Sequence, residues 1–200
     1  MNVNSFRAEI ASRGHQRPEL YRVRFFPPPA LATALAQNGT DPSETLEFWI
    51  DRIAMPGYSM QAHTVRRYGY GTSEKRPVFP VFDDVTMSVV SDEAGENREF
   101  FRRWMNVTVS ADSSAGIYPI TQKEPGLDTY ELSYPTEYAS RATVTALSRS
   151  GEETTVAVLN EAWPIALGPI SLQHAPSNDV ARFQVTLSIQ DWFPGEPDQS

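Results

Sequence analysis

The sequence predicts a mainly β fold carrying one principal α-helix and long loops. Three observations lead there. Apolar and polar residues alternate with a period of two in several short runs, most cleanly from Arg182 to Gln190, where Phe183, Val185, Leu187 and Ile189 share one face. Four-residue spacing of apolar groups is strong in one place, where Phe100 precedes Trp104 and Phe101 precedes Met105. The 16 prolines and 11 glycines collect between these runs, as turn and loop residues do. About seven or eight strands and one helix make a single domain spanning 1–200, long enough to bury a core without staples.

The elements follow in chain order. Asn4 to Arg13 reads as a short helix capped by Asn4 or Ser5 and stopped by Gly14. Leu20 to Phe26 reads as a strand, with Tyr21, Val23 and Phe25 on one face and Arg22 and Arg24 on the other. Pro27-Pro28-Pro29 ends it and opens a loop insertion at 27–45, with a helical turn or two over Ala30 to Gln37 and turn signals at Asn38-Gly39 and Asp41-Pro42. Leu46 to Ile53 alternates as a strand, Met55 to Tyr58 turns, and Val65 to Tyr70 forms a further strand. Asp84 to Val90 is a strand. Asp92 is placed to cap the helix that follows, and Glu93, Glu96 and Glu99 lie near its positive end. The β-branched run Val107-Thr108-Val109 ends it. Ser110 to Pro135 is loop, Glu137 to Leu147 and Glu153 to Glu161 form a hairpin about Ser148-Arg149-Ser150-Gly151, and Ala162 to Pro169 is an apolar loop. After the Arg182 to Gln190 strand, a Pro-rich acidic tail at 193–200 frays.

Composition narrows the chemistry. The net charge of -8 argues against wrapping nucleic acid by phosphate neutralisation. With no cysteine, disulfides, zinc–cysteine sites and thiol catalysis are excluded. No apolar run approaches the roughly 20 residues that span a bilayer, so no membrane anchor is expected, and Met1 to Arg7 carries no signal-peptide pattern. No phosphate-binding, dinucleotide, metalloprotease or nucleophile-elbow motif is present. His15, His63 and His174 are scattered in polar or turn contexts, and Asp83-Asp84 are neighbours on a strand entry that point to opposite faces. No catalytic residue, metal site or cofactor is expected. Arginine outnumbers lysine 15 to two, which either knits interfaces through bidentate carboxylate pairs or reflects genomic base composition. Neutral rows lie opposite the apolar ones: Thr86 and Ser88, Thr143 and Thr145, and Gln184, Thr186 and Ser188.

Four stretches, in order, resemble the tail tube proteins of contractile-tailed bacteriophages. They are Arg17-Pro18-Glu19-Leu20-Tyr21-Arg22-Val23, the turn Ile53-Ala54-Met55-Pro56-Gly57, the strand–acid–helix run from Phe82 to Trp104, and Glu161-Ala162-Trp163-Pro164 continuing to Leu172 and then Asn178 to Trp192. The long 27–45 segment and the tail after Trp192 depart from that pattern, and baseplate proteins that start the tube share the domain.

The resemblance implies a β-sandwich or barrel-like subunit whose inner strands join those of five other copies into a continuous barrel, a hexameric ring that stacks into a tube. It implies no enzyme. Expected partners are further copies, the tail sheath, baseplate and tail terminator proteins and a tape measure protein in the lumen, with DNA only in transit. The expected location is the virion tail, assembled in host cytoplasm. A tube-initiating baseplate protein or the tube of a phage-derived injection system are the alternatives. Six copies would carry -48 per ring, suiting a conduit that must not grip its cargo. The expected channel lining is the row of Thr143 and Thr145, or that of Gln184, Thr186 and Ser188. Met55, Pro56, Trp163, Pro164 and Trp192 are the expected contacts between subunits or rings. The 27–45 loop is expected to lie outside the barrel against the next ring or the sheath.

Overall fold

The computed structural model describes residues 2, 3, 7, 16–32, 46–66, 69, 71–109, 132–172 and 179–196. Most of the expected Asn4–Arg13 helix, most of the 27–45 segment, most of the Ser110–Pro135 loop and the end of the tail lie outside the described residues. The strands are β1 (Tyr21–Phe26), β2 (Ile50–Ile53), β3 (Tyr58–Val65), β4 (Glu74–Phe82), β5 (Val85–Val90), β6 (Ser140–Leu147), β7 (Glu153–Leu167), β8 (Arg182–Ser188) and β9 (Asp191–Gly195). Two helices lie wholly within the described residues after β2, α1 (Glu96–Thr108) and the single turn α2 (Pro135–Tyr138).

All the pairings are antiparallel. The main sheet runs β1-β6-β7-β8-β5-β2, with β9 also on β7, while β3 and β4 pair only with each other. The 15-residue β7 serves two sheets. Its first part pairs with β6 and, over Val156–Asn160, with β9; its last part, Trp163–Leu167, pairs with β8. The strand changes sheet around Glu161, a non-glycine residue at φ 47. One layer is therefore β1, β6, the start of β7 and β9, and the other is the end of β7, β8, β5 and β2.

The alternating residues of both layers meet in one core. Val23, Phe25, Ala142, Val144 and Leu159 come from the first layer, and Val85, Met87, Val89, Phe183, Val185 and Leu187 from the second. Helix α1 adds Phe100, Phe101, Trp104 and Val107. Phe25 lies edge-on to Phe101 at 5.8 Å and to Trp104 at 6.3 Å, and Phe101 reaches Phe183 at 6.4 Å, so the helix joins β1 to β8 through aromatic contacts. The buried Trp104 indole donates to the Tyr138 carbonyl at 2.7 Å, which satisfies its polar edge.

The layers also meet where β1 faces β2. These strands do not pair, but the Tyr21 hydroxyl donates to the Ile50 carbonyl at 2.7 Å and Arg22 lies 3.5 Å from Glu47. Burial, and then the nearby Asp51 carboxylate, raise the Tyr21 pKa above 10.0, so the hydroxyl remains a donor.

Several expectations are corrected. Leu46 to Phe48 form a 3-10 turn, closed by Trp49 N–H to Leu46 O at 3.0 Å, and the strand begins at Ile50. Tyr58, read as the end of a turn, and Val65, read as the start of a strand, instead bound β3, which pairs with β4 in a long two-stranded hairpin; most of the rest of the expected Val65–Tyr70 strand lies outside the described residues. Glu137 and Tyr138, read as the start of a strand, belong instead to α2, because Pro135 suits a first helical position and Glu137 accepts the Tyr134 N–H at 3.1 Å. The apolar 162–167 stretch continues β7 instead of looping. Phe193 to Gly195 do not fray; they belong to β9. Gly95, at φ 74, occupies the cap position of α1, a conformation glycine adopts at little cost. Asp92 still performs the expected capping from three residues back, accepting the Glu96 and Asn97 N–H groups at 3.0 and 3.1 Å. Within the 27–45 segment, a helical turn begins after Pro28, where Ala32 N–H reaches Pro28 O at 2.9 Å, and it places Leu31 in the core.

Candidate functional site

Two surfaces stand out, a neutral polar face and an apolar arm. The polar face is the outer side of the second layer. Period two sends Phe183, Val185 and Leu187 into the core and leaves Gln184, Thr186 and Ser188 outside. On β5 the same rule leaves Thr86 and Ser88 outside. Register aligns them: Thr86 is opposite Thr186, with hydroxyl oxygens 3.5 Å apart, and Ser88 is opposite Gln184. Arg52 extends the row on β2, opposite Ser88, and Ala166 extends it on β7, opposite Thr186. At the margin Arg182 binds Asp179 at 3.0 Å and Asp51 at 3.1 Å, and those carboxylates hold its guanidinium charged, with the Asp179 hydrogen bond the largest influence. The centre of the face carries hydroxyls and an amide and no full charge.

Thr143 and Thr145 lie on the other layer, facing away from the core opposite Arg24 and Arg22 of β1. Thr145 is only 5% exposed. The five expected lining residues therefore divide between two opposed surfaces, and only Gln184, Thr186 and Ser188 share an open polar one.

The arm is the β3–β4 hairpin. Nearly all its residues are exposed, including Tyr58 at 61%, Met60 at 53% and Phe79 at 50%. Exposed apolar groups gathered on one element are of the kind that marks an interaction surface. Trp192 of β9 holds its base: the indole N–H donates to Gly57 O at 3.2 Å and the ring meets Tyr58 at 6.1 Å.

The expected contact residues fare differently. Met55 is 41% exposed beside the base of the arm. Pro56 and Pro164 are buried inside the chain itself, Trp163 is half-buried against the Tyr138 ring at 5.4 Å, and Trp192 is half-buried under the arm. The arm's own residues went unread because both faces of an isolated ribbon are exposed, which removes the in–out alternation that marks a strand. The available signal was the pair of glycines, Gly69 and Gly71, between two runs of similar length.

Among the described residues no group of three or more His, Asp or Glu side chains is placed to hold a metal ion, and no helix is long and apolar enough to cross a membrane. A profile of the phage tail tube protein family matches residues 16–194. The chain belongs to that family. Its relatives include the tail tube proteins gp19 of Enterobacteria phages T6 and T4, 28% and 27% identical over 112 residues, or 56% of this chain. The chain matches 60% of the length of those relatives. Among solved structures, a chain of the anti-feeding prophage baseplate superposes with a TM-score of 0.56 at 13% identity, covering 88% of this chain and 91% of that one. A chain from the extended sheath–tube complex of an extracellular contractile injection system gives 0.50 at 15% identity, covering 94% and 96%. These likenesses establish that the tail tube family member has the fold of those chains.

Proposed function

We propose that this chain is the repeating structural subunit of a phage tail tube, and that the face bearing Gln184, Thr186, Ser188, Thr86 and Ser88 lines its channel. Six copies close into a ring, rings stack, and DNA passes through during ejection. The observation that carries this reading is the open polar face, hydroxyls and an amide at its centre with Arg52 and Arg182 toward its edge, on a member of the tail tube family. A lumen rich in Lys and Arg would hold phosphates through counterion release. Hydroxyls and amides wet the wall without gripping the cargo, and among the described residues the arginines on that face are Arg52 and the carboxylate-paired Arg182.

The second layer has two edges, β2 and the end of β7, and ring closure removes such edges by pairing them between neighbours. Six copies of four strands spaced about 4.8 Å give a circumference of roughly 115 Å, so a diameter of roughly 37 Å between facing backbones. That leaves room for a duplex inside the side chains. In this reading the chain has no catalytic role. It meets sheath, baseplate and terminator proteins along and at the ends of the tube and a tape measure protein in the lumen, and it resides in the virion tail after assembly in host cytoplasm.

The fold shared with a baseplate chain favours one second reading, a protein that starts the tube. Negative-stain microscopy of the purified protein separates the two. Long tubes support the first reading, lone rings the second, and neither form contradicts both.

A further inference from the structure

The end of β7 is an edge of the second layer, and its own pairing fixes it poorly. The register with β8 slips between Pro164 and Ala166, and Pro164 has no N–H to give to a ladder. The strand enters this stretch from the bend at Glu161. A bulged edge strand that follows a bend takes its position from whatever else holds it.

Helix α1 holds it from behind the polar face. Arg98 donates through Nη1 to the Gly168 carbonyl at 2.7 Å, one residue past the end of β7. Its guanidinium also lies over the ring of Phe183, on the core side of β8, at 5.6 Å. Gly168 N–H donates to Gln184 O at 2.7 Å, which carries the β7–β8 pairing one step further. Gly168 lies so close to β8 that a Cβ there would meet the backbone N and O of Gln184 at 3.2 Å. Among the described residues no carboxylate pairs with Arg98, and its charge is directed at a carbonyl and a ring.

The root of Arg98 is fixed across the layer. Beside it, the buried Asn97 amide donates to Val90 O at the end of β5 at 3.2 Å, and the Asp92 carboxylate accepts the Glu96 and Asn97 N–H groups. The first turn of α1 therefore touches β5, β8 and the end of β7, three of the layer's four strands, and β5 carries β2, the opposite edge. A ring closes only when the two edges of every copy keep a fixed angle to each other.

We infer that Arg98 is a positioning residue for ring closure: it holds the end of β7 at the angle to β2 that the edge of a neighbouring copy meets. The role rests on the tube reading. Arg98 acts from the core side of the wall, through Gly168, rather than from the polar face.

Arg98→Met keeps an apolar stem and removes the donor and its charge. Assembly is read by sedimentation with electron microscopy, amide exchange is read in the unassembled subunit, and circular dichroism verifies folding. Losing one hydrogen bond from a charged donor corresponds to about tenfold in an equilibrium. Exchange at Gly168 is expected to rise by about that factor, and pelleted assembly to fall at least as far, while the β5–β8 pairing keeps its protection. A folded Arg98→Met that leaves either Gly168 exchange or assembly as in the wild type overturns the role and leaves the tube intact.

Val107→Ala separates positioning from a general loss of stability. It empties buried volume about two and a half turns further along α1, and is expected to assemble like the wild type. Assembly lost equally in Val107→Ala overturns the role. If Arg98→Met fails to fold, Gly168→Ala decides, because its methyl presses on the Gln184 backbone with Arg98 in place. It is expected to fold and to lower assembly, and a folded Gly168→Ala that assembles like the wild type overturns the role. A wild type that forms neither rings nor tubes overturns the tube reading and this role with it.

Discussion

Replacing Tyr21 with Phe tests how the two layers are held where β1 and β2 approach without pairing. The ring is kept, so packing against the core changes little. The hydroxyl is lost, and with it the 2.7 Å bond to the Ile50 carbonyl. Such a bond contributes about 0.5–1.5 kcal/mol net. In a chain of 200 residues that corresponds to a midpoint about 1–6 °C lower. Thermal unfolding followed by tryptophan fluorescence measures it. The pH dependence adds a signature. The folded Tyr21 pKa lies above 10.0, first through burial and then through Asp51. Its contribution is therefore complete below about pH 10 and disappears as pH rises through the raised value. The gap between wild type and Tyr21→Phe should hold from neutral pH to about 10 and close above it. A variant with the wild-type midpoint at neutral pH would refute the tie.

Trp104→Ala removes a wholly buried indole and its bond to Tyr138 O, and should cost about 3–5 kcal/mol in urea unfolding. Gly195→Ala places a methyl 2.8 Å from Val156 Cγ1, and should cost about 1–3 kcal/mol while raising amide exchange along β9. Glu99 is held below 4.5, chiefly by its hydrogen bond from Arg102 and also by Arg103, so its contribution is present above that value and lost as pH falls through the lowered one. Glu99→Gln should therefore flatten the acid limb of the stability profile slightly, as befits a partly exposed pair.

How much was legible follows from what each segment packs against. Strands with one buried face announced themselves: Val85, Met87 and Val89 of β5 and Phe183, Val185 and Leu187 of β8 went where alternation sent them. The aromatic spacing of α1 and the capping by Asp92 were equally readable, because both are local. The arm was not, since neither of its faces meets this chain's core and Pro77 and Pro80 interrupt its second strand. The bend of β7 at Glu161 was hidden for another reason. A non-glycine at φ 47 is held by the pairing on both sides of it, with β9 before and β8 after, and nothing local marks it. Likewise Phe193 to Gly195 look like a tail until β7 offers them an edge. The polar face was half legible: composition picked the hydroxyl rows, but only the register shows that Thr143 and Thr145 belong to the opposite layer from Gln184, Thr186 and Ser188.

The central claim is that the hydroxyl- and amide-bearing face of the second layer forms the channel wall. A cryo-electron microscopy map of the assembled protein, at a resolution that shows side chains, tests it most directly. The account predicts six-fold rings in which Gln184, Thr186 and Ser188 point at the axis and β2 of one copy lies beside the end of β7 in the next. Rings that turn this face outward, or bury it between stacked rings, would contradict it.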